Sequence, residues 1–233
     1  MTAAPRLDEL GRDVRSSGLA WRGAFHPGAA DAVPPLADGG PAATLVLLGF
    51  VGGGEWPAFT ASAEHADGRP HPLDRWSRRV TDVLARRHGA CALYPSDGPP
   101  WLPFQRWAMR AEAVHRSPLG ILIHPDYGLW HAYRGALAFA MPLDLPPVAA
   151  RASPCDGCAA RPCLAGCPVG AFAPQGYDVA ACIAHLDGGR GADCLAAGCQ
   201  ARRACPVGPA YRPAPEAAAF HMAAFHRSQR RDA

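Results

Sequence analysis

The cysteines are the feature of this sequence that most limits what the chain can fold into. Eight of the nine lie between Cys155 and Cys205. They form two runs of four, and each run ends in the tetrapeptide CPVG, which indicates an internal duplication. A chain of 233 residues can bury a sizeable core without covalent staples. The cysteines therefore need a chemical explanation. In chain order, the runs are Cys155, Cys158, Cys163, Cys167 and Cys182, Cys194, Cys199, Cys205.

The cellular compartment determines whether clustered cysteines form disulfides or stay reduced and available to bind metal. The amino-terminal segment MTAAPRLDELGRDVRSSG has acidic residues where a secretory signal has its apolar core. The longest apolar run, ATLVLLGFV, is too short to cross a bilayer. We therefore expect a cytoplasmic protein without a membrane partner. In a reducing compartment, clustered cysteines indicate metal ligands or redox centres rather than disulfides.

The charge of the chain predicts no nucleic-acid partner. The net charge is only +3, and all 23 positive side chains are arginines. They are scattered along the sequence, apart from a short RSQRR near the end. A nucleic-acid footprint usually requires a concentrated basic patch.

The spacing of the first run is close to that of a bacterial two-cluster ferredoxin. It reads C-x2-C-x4-C-x3-C-P, two residues longer than the pattern C-x2-C-x2-C-x3-C-P that holds 4Fe-4S clusters. The second run is looser, although it also ends in cysteine and proline. Proline turns the chain away and contributes no amide donor. Two 4Fe-4S clusters are the leading interpretation, with a four-cysteine zinc site and structural disulfides as the alternatives.

The bacterial pattern also predicts how the ligands are shared, because its fourth cysteine ligates the other cluster. The segment GYDVAACIAHL between the runs is predicted to be the linking helix. We therefore predict two interleaved ligand sets. The first cluster would use Cys155, Cys158, Cys163 and Cys205, and the second Cys167, Cys182, Cys194 and Cys199.

The region in front of the cysteines predicts an α+β domain, since helical and strand patterns alternate along it. Residues 1–145 would form this domain, and a proline-rich linker would lead into a second domain over 146–233. Cys91 is expected to be a small core residue in a buried strand. The predicted helices are 6–17, 72–89 and one around 103–111, and the predicted strands are 43–51, 90–94, 119–124 and 130–140.

Two further segments have weaker signals. The glycine run GFVGGGEWP follows a predicted strand and either approaches a ligand or forms an ordinary turn, since it lacks the spacing of a nucleotide-binding loop. The segment PEAAAFHMAAFHRSQRR predicts a carboxy-terminal helix, with an apolar side that packs over the cluster domain. His221 and His226 on that helix are expected to be surface or capping residues rather than ligands.

The segment GILIHPDYGLWHAYRGALAFAMPLDLPP resembles the signature of the cobalamin-processing chaperones of the CblC type. It is also similar to a block of the epoxyqueuosine reductases. Those corrinoid enzymes have a two-cluster module directly after their corrin-binding domain. The resemblance implies a nitroreductase-like domain that holds cobalamin with its own base detached, followed by a small dicluster ferredoxin-like domain.

Four residues of this block are the candidate cobalamin site: His124, Gly128, Trp130 and Arg134. The family resemblance implies that the arginine lies beside the upper face of the corrin. Trp130 would offer a flat apolar surface to the macrocycle, and a guanidinium suits carboxylate or amide groups. The alternative is that Trp130 and Tyr133 are core residues of a strand, Arg134 is a surface charge and His124 is structural.

The sequence departs from the epoxyqueuosine reductases at one functional position. Their proton donor is the aspartate of a D-S/T-G-P segment, whereas this chain reads SDGPP, with Ser96 at the donor position and Asp97 shifted by one. The chain also shows no helical-repeat extension and no basic face for a tRNA. These departures make that enzyme a minor alternative at this stage.

The leading expectation is a corrinoid reductase in which two 4Fe-4S clusters pass electrons to cobalt, either to reduce it or to remove its upper ligand. Its partners would be cobalamin or a related corrinoid and an upstream electron-donor protein, and no catalytic residue is assigned. A ferredoxin-like carrier without corrinoid is one alternative. Another is a corrinoid reductase of the epoxyqueuosine reductase or reductive dehalogenase kind.

Overall fold

The computed structural model of the chain describes residues 7–173 and 175–231. It contains both helices and antiparallel strands. The helices are α1 Leu7–Ser16, α2 Trp56–Thr60, α3 Ala63–Ala66, α4 Pro72–His88, α5 Phe104–Ala111, α6 Pro162–Ala165, α7 Val179–Asp187, α8 Ala192–Ala197, α9 Gln200–Arg203 and α10 Pro215–Arg231. The strands are β1 Ala20–Phe25, β2 Thr44–Val51, β3 Cys91–Leu93, β4 His115–Arg116, β5 Leu122–Ile123, β6 His131–Phe139, β7 Phe172–Ala173 and β8 Gly176–Tyr177.

The chain divides into two compact units whose boundaries differ from the predicted ones. The first unit contains the chain up to Ala113 together with His131–Ala150. The second contains Val114–Trp130 and the chain from Arg151 onward. The prediction of one boundary after residue 145 therefore missed that 114–130 belongs with the cysteine-rich segment. Which function each region has stays a prediction.

The first unit is built on a four-stranded antiparallel sheet with the order β1-β2-β6-β3. Successive residues of a strand point to opposite faces of its sheet. In β2, the run Leu45, Val46, Leu47 and Leu48 is nevertheless fully buried, so the sheet is covered on both faces. The mixed helix and sheet content agrees with the predicted α+β class. The names nitroreductase-like and ferredoxin-like stay predictions.

Helix α4 is the longest helix of the first unit, and its sequence explains its bounds. Pro72 occupies the first turn, where a missing amide costs nothing. Trp76, Val80 and Leu84 recur at helical spacing and are buried, and α4 contacts β6 and β3. Gly89 ends the helix in the left-handed conformation. The prediction of a helix at 72–89 is accurate to one residue.

Three local predictions need correction. Strand β1 was missed, because its sequence AWRGAF contains a buried arginine and a bulge between Trp21 and Ala24 that break the alternating pattern. The strand predicted at 119–124 is reduced to Leu122–Ile123, paired with β4. Cys91 is half-buried rather than buried, because β3 lies at the edge of its sheet.

Other predicted elements agree with the structure or lie partly outside it. The amino-terminal helix is observed at Leu7–Ser16, and residue 6 lies outside the described residues. The glycine run forms the turn between β2 and α2. None of the helices in the described ranges is both long and apolar enough to cross a membrane.

Candidate iron-sulfur centres

The structure brings four cysteines of the second unit together, and we call Cys155, Cys158, Cys163 and Cys205 the first set. All four line one small cavity with apolar neighbours. The thiol of Cys155 interacts electrostatically with those of Cys205, Cys163 and Cys158. Cys163 and Cys205 are buried, and the former is positioned by α6. The first set therefore combines three cysteines of the first run with the last cysteine of the second run.

The other four cysteines form a second set, consisting of Cys167, Cys182, Cys194 and Cys199. Helix α7 positions Cys182, helix α8 positions Cys194, and Cys199 precedes α9. The Cys182 thiol interacts with those of Cys167 and Cys194, and the Cys199 thiol interacts with those of Cys194 and Cys182. This set therefore combines the last cysteine of the first run with three cysteines of the second run.

The cysteine sets differ from a site for a single metal ion. Within residues 7–173 and 175–231, no three histidine, cysteine, aspartate or glutamate side chains are placed to hold one ion. A structural zinc ion requires four ligands converging on a single atom. An iron-sulfur cluster is a larger body whose iron atoms each take one thiolate. Two thiolate sets of four match the ligand demand of two such clusters in number and in chemistry.

Burial affects the pKa of thiols in both sets, and hydrogen bonds are donated to sulfurs of the second set. Burial raises the pKa of the thiols of Cys155, Cys163, Cys182 and Cys199. Hydrogen-bond donors also reach sulfurs of the second set. The backbone amide of Ala171 donates to Cys167 Sγ at 3.3 Å, and backbone hydrogen bonds from α9 lower the pKa of Cys199. Donors of this kind favour a sulfur that is charged, as a cluster ligand is.

Tyr177 is a residue of the second set's surroundings that the sequence reasoning missed. Its hydroxyl donates to the Cys182 thiol, which lowers the pKa of that thiol, although burial raises it more. The ring stacks on Phe172, with the centroids 4.7 Å apart. Both rings lie on the short β7–β8 hairpin. The only sequence signal was an aromatic residue near the start of GYDVAACIAHL, the predicted linking helix, whose first two residues form β8 and whose helix begins at Val179.

Arg202 is the second residue that the sequence reasoning missed. Its Nε donates to the backbone carbonyl of Leu129 at 3.0 Å, and a second guanidinium nitrogen donates to the same oxygen. The guanidinium lies over the Trp130 ring, 4.5 Å from its centroid. Burial lowers the pKa of Arg202 to about 10, against the opposing effect of the nearby Cys199 thiol. The side chain therefore remains a cation at neutral pH.

Two of the predicted cobalamin residues have clear roles within the second unit. Nδ1 of His124 accepts the backbone amide of Asp126 at 3.0 Å, and the imidazole stacks on the Tyr127 ring at 4.0 Å between centroids. Gly128 has φ +59°, and a Cβ atom there would stand 2.0 Å from the carbonyl oxygen of Val207. Only glycine allows the chain to pass so close to the second CPVG segment.

The other two predicted cobalamin residues lie in different units. Trp130 belongs to the second unit and is 3% exposed, and its Nε1 has no acceptor among the described residues. Arg134 belongs to the first unit, where it donates to Ser77 Oγ at 3.1 Å and pairs with Asp74. Neither side chain offers a free surface to a macrocycle in this conformation. These residues therefore do not fit a corrin as placed, and their role in binding one stays a prediction.

A buried polar network in the first unit was not expected from the sequence. Arg22 is 1% exposed, and its guanidinium donates to Glu112 Oε1 at 2.7 Å and to the Phe50 carbonyl at 2.9 Å. Tyr133 donates to the same Glu112 oxygen at 2.5 Å. Burial raises the pKa of Glu112. The alternative interpretation made Tyr133 a core residue of a strand, and the structure shows it half-buried in β6 with its hydroxyl in this network.

The segment SDGPP, at the position of the proton donor in epoxyqueuosine reductases, has a simple arrangement. Asp97 forms an ion pair with Arg78, and both side chains are partly exposed. Arg78 also donates to Ser96 Oγ at 3.5 Å. Its guanidinium lies over the Tyr94 ring, 3.8 Å from the centroid. Asp97 is therefore a partly exposed carboxylate paired with a guanidinium, and Ser96 is exposed beside it.

The carboxy-terminal helix has the predicted bounds, Pro215–Arg231. It packs against α7 and α8, the two helices that position Cys182 and Cys194. His226 Nε2 lies 2.8 Å from an oxygen of Asp187. The ring of His221 lies 5.6 Å from that of Phe220. Both histidines have these neighbours on the helix surface, and their exclusion as ligands stays a prediction.

Comparison with solved structures shows a similar fold over most of the chain. No family model matches the sequence, and no curated protein matches it. A solved structure of an epoxyqueuosine reductase bound to a tRNA-Tyr stem loop is similar, with TM-score 0.50 and 17% identity, over 91% of this chain and 70% of that one. The epoxyqueuosine reductase of Streptococcus thermophilus aligns with TM-score 0.46 and 12% identity, over 87% and 66%.

These comparisons change the balance of the sequence-based expectations. The first structure contains a tRNA stem loop, so it gives no support to the expectation of no nucleic-acid partner, which was based on the small net charge and the scattered arginines. Neither of these two structures is a CblC-type protein, so that resemblance stays a prediction. Epoxyqueuosine reductases, which ranked as a minor alternative, are instead the proteins whose fold this chain shares, as the first comparison shows.

Proposed function

We propose that this protein is an iron-sulfur reductase of the epoxyqueuosine reductase type. Two 4Fe-4S clusters, one on each cysteine set, would supply electrons one at a time at low potential. The observation that supports this most is the sorting of eight cysteines into two sets of four, each combining both runs. This is the ligand sharing of two-cluster proteins.

The fold supports a reductase over a simple electron carrier. The similarity to the first epoxyqueuosine reductase extends over 91% of this chain, so it includes the front unit as well as the cysteine-rich one. A small carrier has no need of a front unit with a two-sided core. Because the identity is 17%, the activity itself is argued from the cysteine sets and remains our proposal.

A corrinoid is the acceptor that the resemblance implies for such an enzyme. The residues predicted to hold it have intrachain partners, so we assign none of them to the corrin. The proposal therefore includes cobalamin as a class of cofactor without a binding residue. A titration of the anaerobically reconstituted protein with cobalamin, followed by absorbance, tests this part, because detachment of the lower base changes the corrin spectrum.

The substrate class that follows from the structural neighbour is a modified nucleoside in RNA. Reductive opening of an epoxide to an alkene takes two electrons and two protons and releases water. The reconstituted protein should convert an epoxyqueuosine-containing stem loop to the form lacking one oxygen, measured by mass spectrometry with dithionite and cobalamin present. The matched control is Cys163→Ala, which lacks one ligand of the first set.

The outcomes of this experiment separate the alternatives. Loss of one oxygen from the nucleoside by the wild type alone supports the proposal. Conversion of cobalamin faster than in a protein-free mixture with the same dithionite, without any change in the RNA, would favour cobalamin processing instead. A protein that holds two reducible clusters but neither binds cobalamin nor changes the RNA would be an electron carrier, and the proposal would be wrong.

The electron donor is the partner for which the structure suggests a surface. An open depression of about 670 Å³ beside Cys155 is lined by Arg116, Arg161 and Asp156. The two arginines are exposed, and neither forms an ion pair among the described residues. Their charge suits an acidic electron-carrier protein, whose approach would depend on ionic strength.

We therefore predict that Arg116→Glu combined with Arg161→Glu slows reduction by an acidic flavodoxin by about tenfold or more at low salt. Stopped-flow bleaching of the clusters measures this rate. Reduction by dithionite, a small inorganic reductant, should change much less. A matched double variant, Arg227→Glu with Arg230→Glu on α10, is the control. Equal slowing by both double variants would contradict this surface.

A further inference from the structure

The segment His124–Trp130 was singled out in the sequence for cobalamin, yet its contacts are with the cysteine-rich part of its own unit. Gly128 allows the chain to pass against Val207, which follows Cys205. The carbonyl of Leu129 accepts two hydrogen bonds from Arg202. The ring of Trp130 lies under the same guanidinium. The Gly128 contact lies beside Cys205 of the first set, whereas the guanidinium of Arg202 interacts with the thiol of Cys199 of the second set.

We infer that Arg202, held by Leu129 and Trp130, is a positioning residue that raises the reduction potential of the cluster on the second set. The inference rests on the proposed iron-sulfur function. It concerns a residue that ligates nothing, and it assigns to Trp130 a role unrelated to a corrin.

The physical basis is the permanent charge of the guanidinium. Reduction adds one electron to the cluster, so a nearby cation stabilises the reduced form relative to the oxidised form. Net charge and hydrogen bonding around the sulfurs are the means by which a protein sets this potential. Arg202 is half-buried, so water screens its charge less than that of an exposed arginine. Its thiol neighbour is Cys199 of the second set.

The hydrogen bonds to the Leu129 carbonyl and the contact with the Trp130 ring hold the Arg202 guanidinium in place. An arginine side chain loses considerable rotamer freedom when it is fixed, and the planar guanidinium reduces this loss because its donors are preorganised. Two donors meet one carbonyl oxygen, and the indole face stabilises the cation from another direction. Lysine would keep the charge but could not reproduce the paired donation.

The direction of electron transfer gives this tuning a function. An electron moves spontaneously from the cluster of lower potential to that of higher potential. A cation beside the second set would therefore draw electrons from the first set toward the second. This fits an entry point at the open depression beside Cys155, on the first set.

The test is a redox titration of the reconstituted full chain, followed by paramagnetic resonance of the two reduced clusters. In Arg202→Gln, we expect the ratio of reduced to oxidised second cluster to fall by about tenfold at a fixed potential, which corresponds to about 59 mV for one electron. The first cluster should change much less. Arg227→Gln, an exposed arginine of α10, is the matched control and should change neither potential.

Two outcomes would overturn the inference. One is an Arg202→Gln variant with full iron content and both potentials unchanged. The other is a loss of iron in Arg202→Gln and in Arg202→Lys alike. If only the glutamine variant loses iron, the potential of Arg202→Lys tests the inference. A lysine variant that retains its iron and a potential near that of the wild type supports the role of charge, whereas loss of iron there too shows that Arg202 is only structural.

The result is distinguishable from a failure of the proposed function. The titration needs no corrin, no RNA and no turnover, so an inactive reductase does not affect it. A wild type that assembles no cluster would overturn both proposals together. A wild type with two clusters, together with an Arg202→Gln variant whose cluster potentials equal those of the wild type, would overturn only the role of Arg202.

Discussion

Cys167→Ala is expected to remove about half of the iron that the reconstituted wild-type protein binds, since each 4Fe-4S cluster holds four iron atoms. Although Cys167 belongs to the first run in the sequence, its thiol lies with Cys182 of the second set. The lost cluster should therefore be the one that Cys182, Cys194 and Cys199 support. The cluster on Cys155, Cys158 and Cys163 should remain and should be reducible by dithionite.

Iron and sulfide analysis, together with Mössbauer and paramagnetic resonance spectra, measures this effect. Two controls make the result specific. Cys163→Ala should remove the other cluster and leave the complementary spectrum. Cys91→Ala should remove neither, because that residue lies in β3 of the first unit. Loss in Cys167→Ala of the same cluster that Cys163→Ala removes would show that each run holds its own cluster, contrary to the interleaved arrangement.

Gly128→Ala is expected to destabilise the second unit by about 3 kcal/mol or more, through backbone strain and steric overlap. The glycine has φ +59°, and a Cβ atom would lie 2.0 Å from the carbonyl oxygen of Val207 and 2.7 Å from its carbon. Neither atom can move without displacing the backbone that follows Cys205. The expected loss is a factor of more than a hundred in the folding equilibrium.

The matched control for this prediction is Gly120→Ala in the same unit. Gly120 has φ +77°, but no atom lies within 4 Å of the position of its Cβ. Its replacement should therefore cost only about 1 kcal/mol of backbone strain. Urea unfolding of both variants, monitored by circular dichroism with identical iron loading, measures the difference. Equal destabilisation would contradict the close approach of the two segments.

Much of the fold follows from local sequence pattern. The apolar stripe of α4 and the alanine-rich sequence of α10 predict both helices to within one residue. Strand β1 could not be predicted in this way, because it contains Arg22, whose burial depends on Glu112, ninety positions away in the sequence. The inclusion of 114–130 in the second unit likewise depends on tertiary contacts, such as that between Gly128 and Val207.

In the candidate site, the cysteine ligands were predictable from the sequence, whereas the residues around them were not. Cysteine spacing and the proline after each run predict which thiols belong together, since the requirement is set by the cluster and is local in each run. The surroundings of the sulfurs are different. Nothing in the spacing indicates that Arg202 lies on Trp130 or that Tyr177 donates to Cys182. Those contacts arise from packing, which one sequence does not specify residue by residue.

The most direct test of the central claim is the iron and sulfide content of the anaerobically reconstituted chain, combined with its spectra. The account predicts about eight iron atoms and eight sulfides per chain, and two 4Fe-4S centres that dithionite reduces. Stoichiometric zinc bound without sulfide, or a fully reconstituted wild type that holds only one 4Fe-4S cluster, would contradict it.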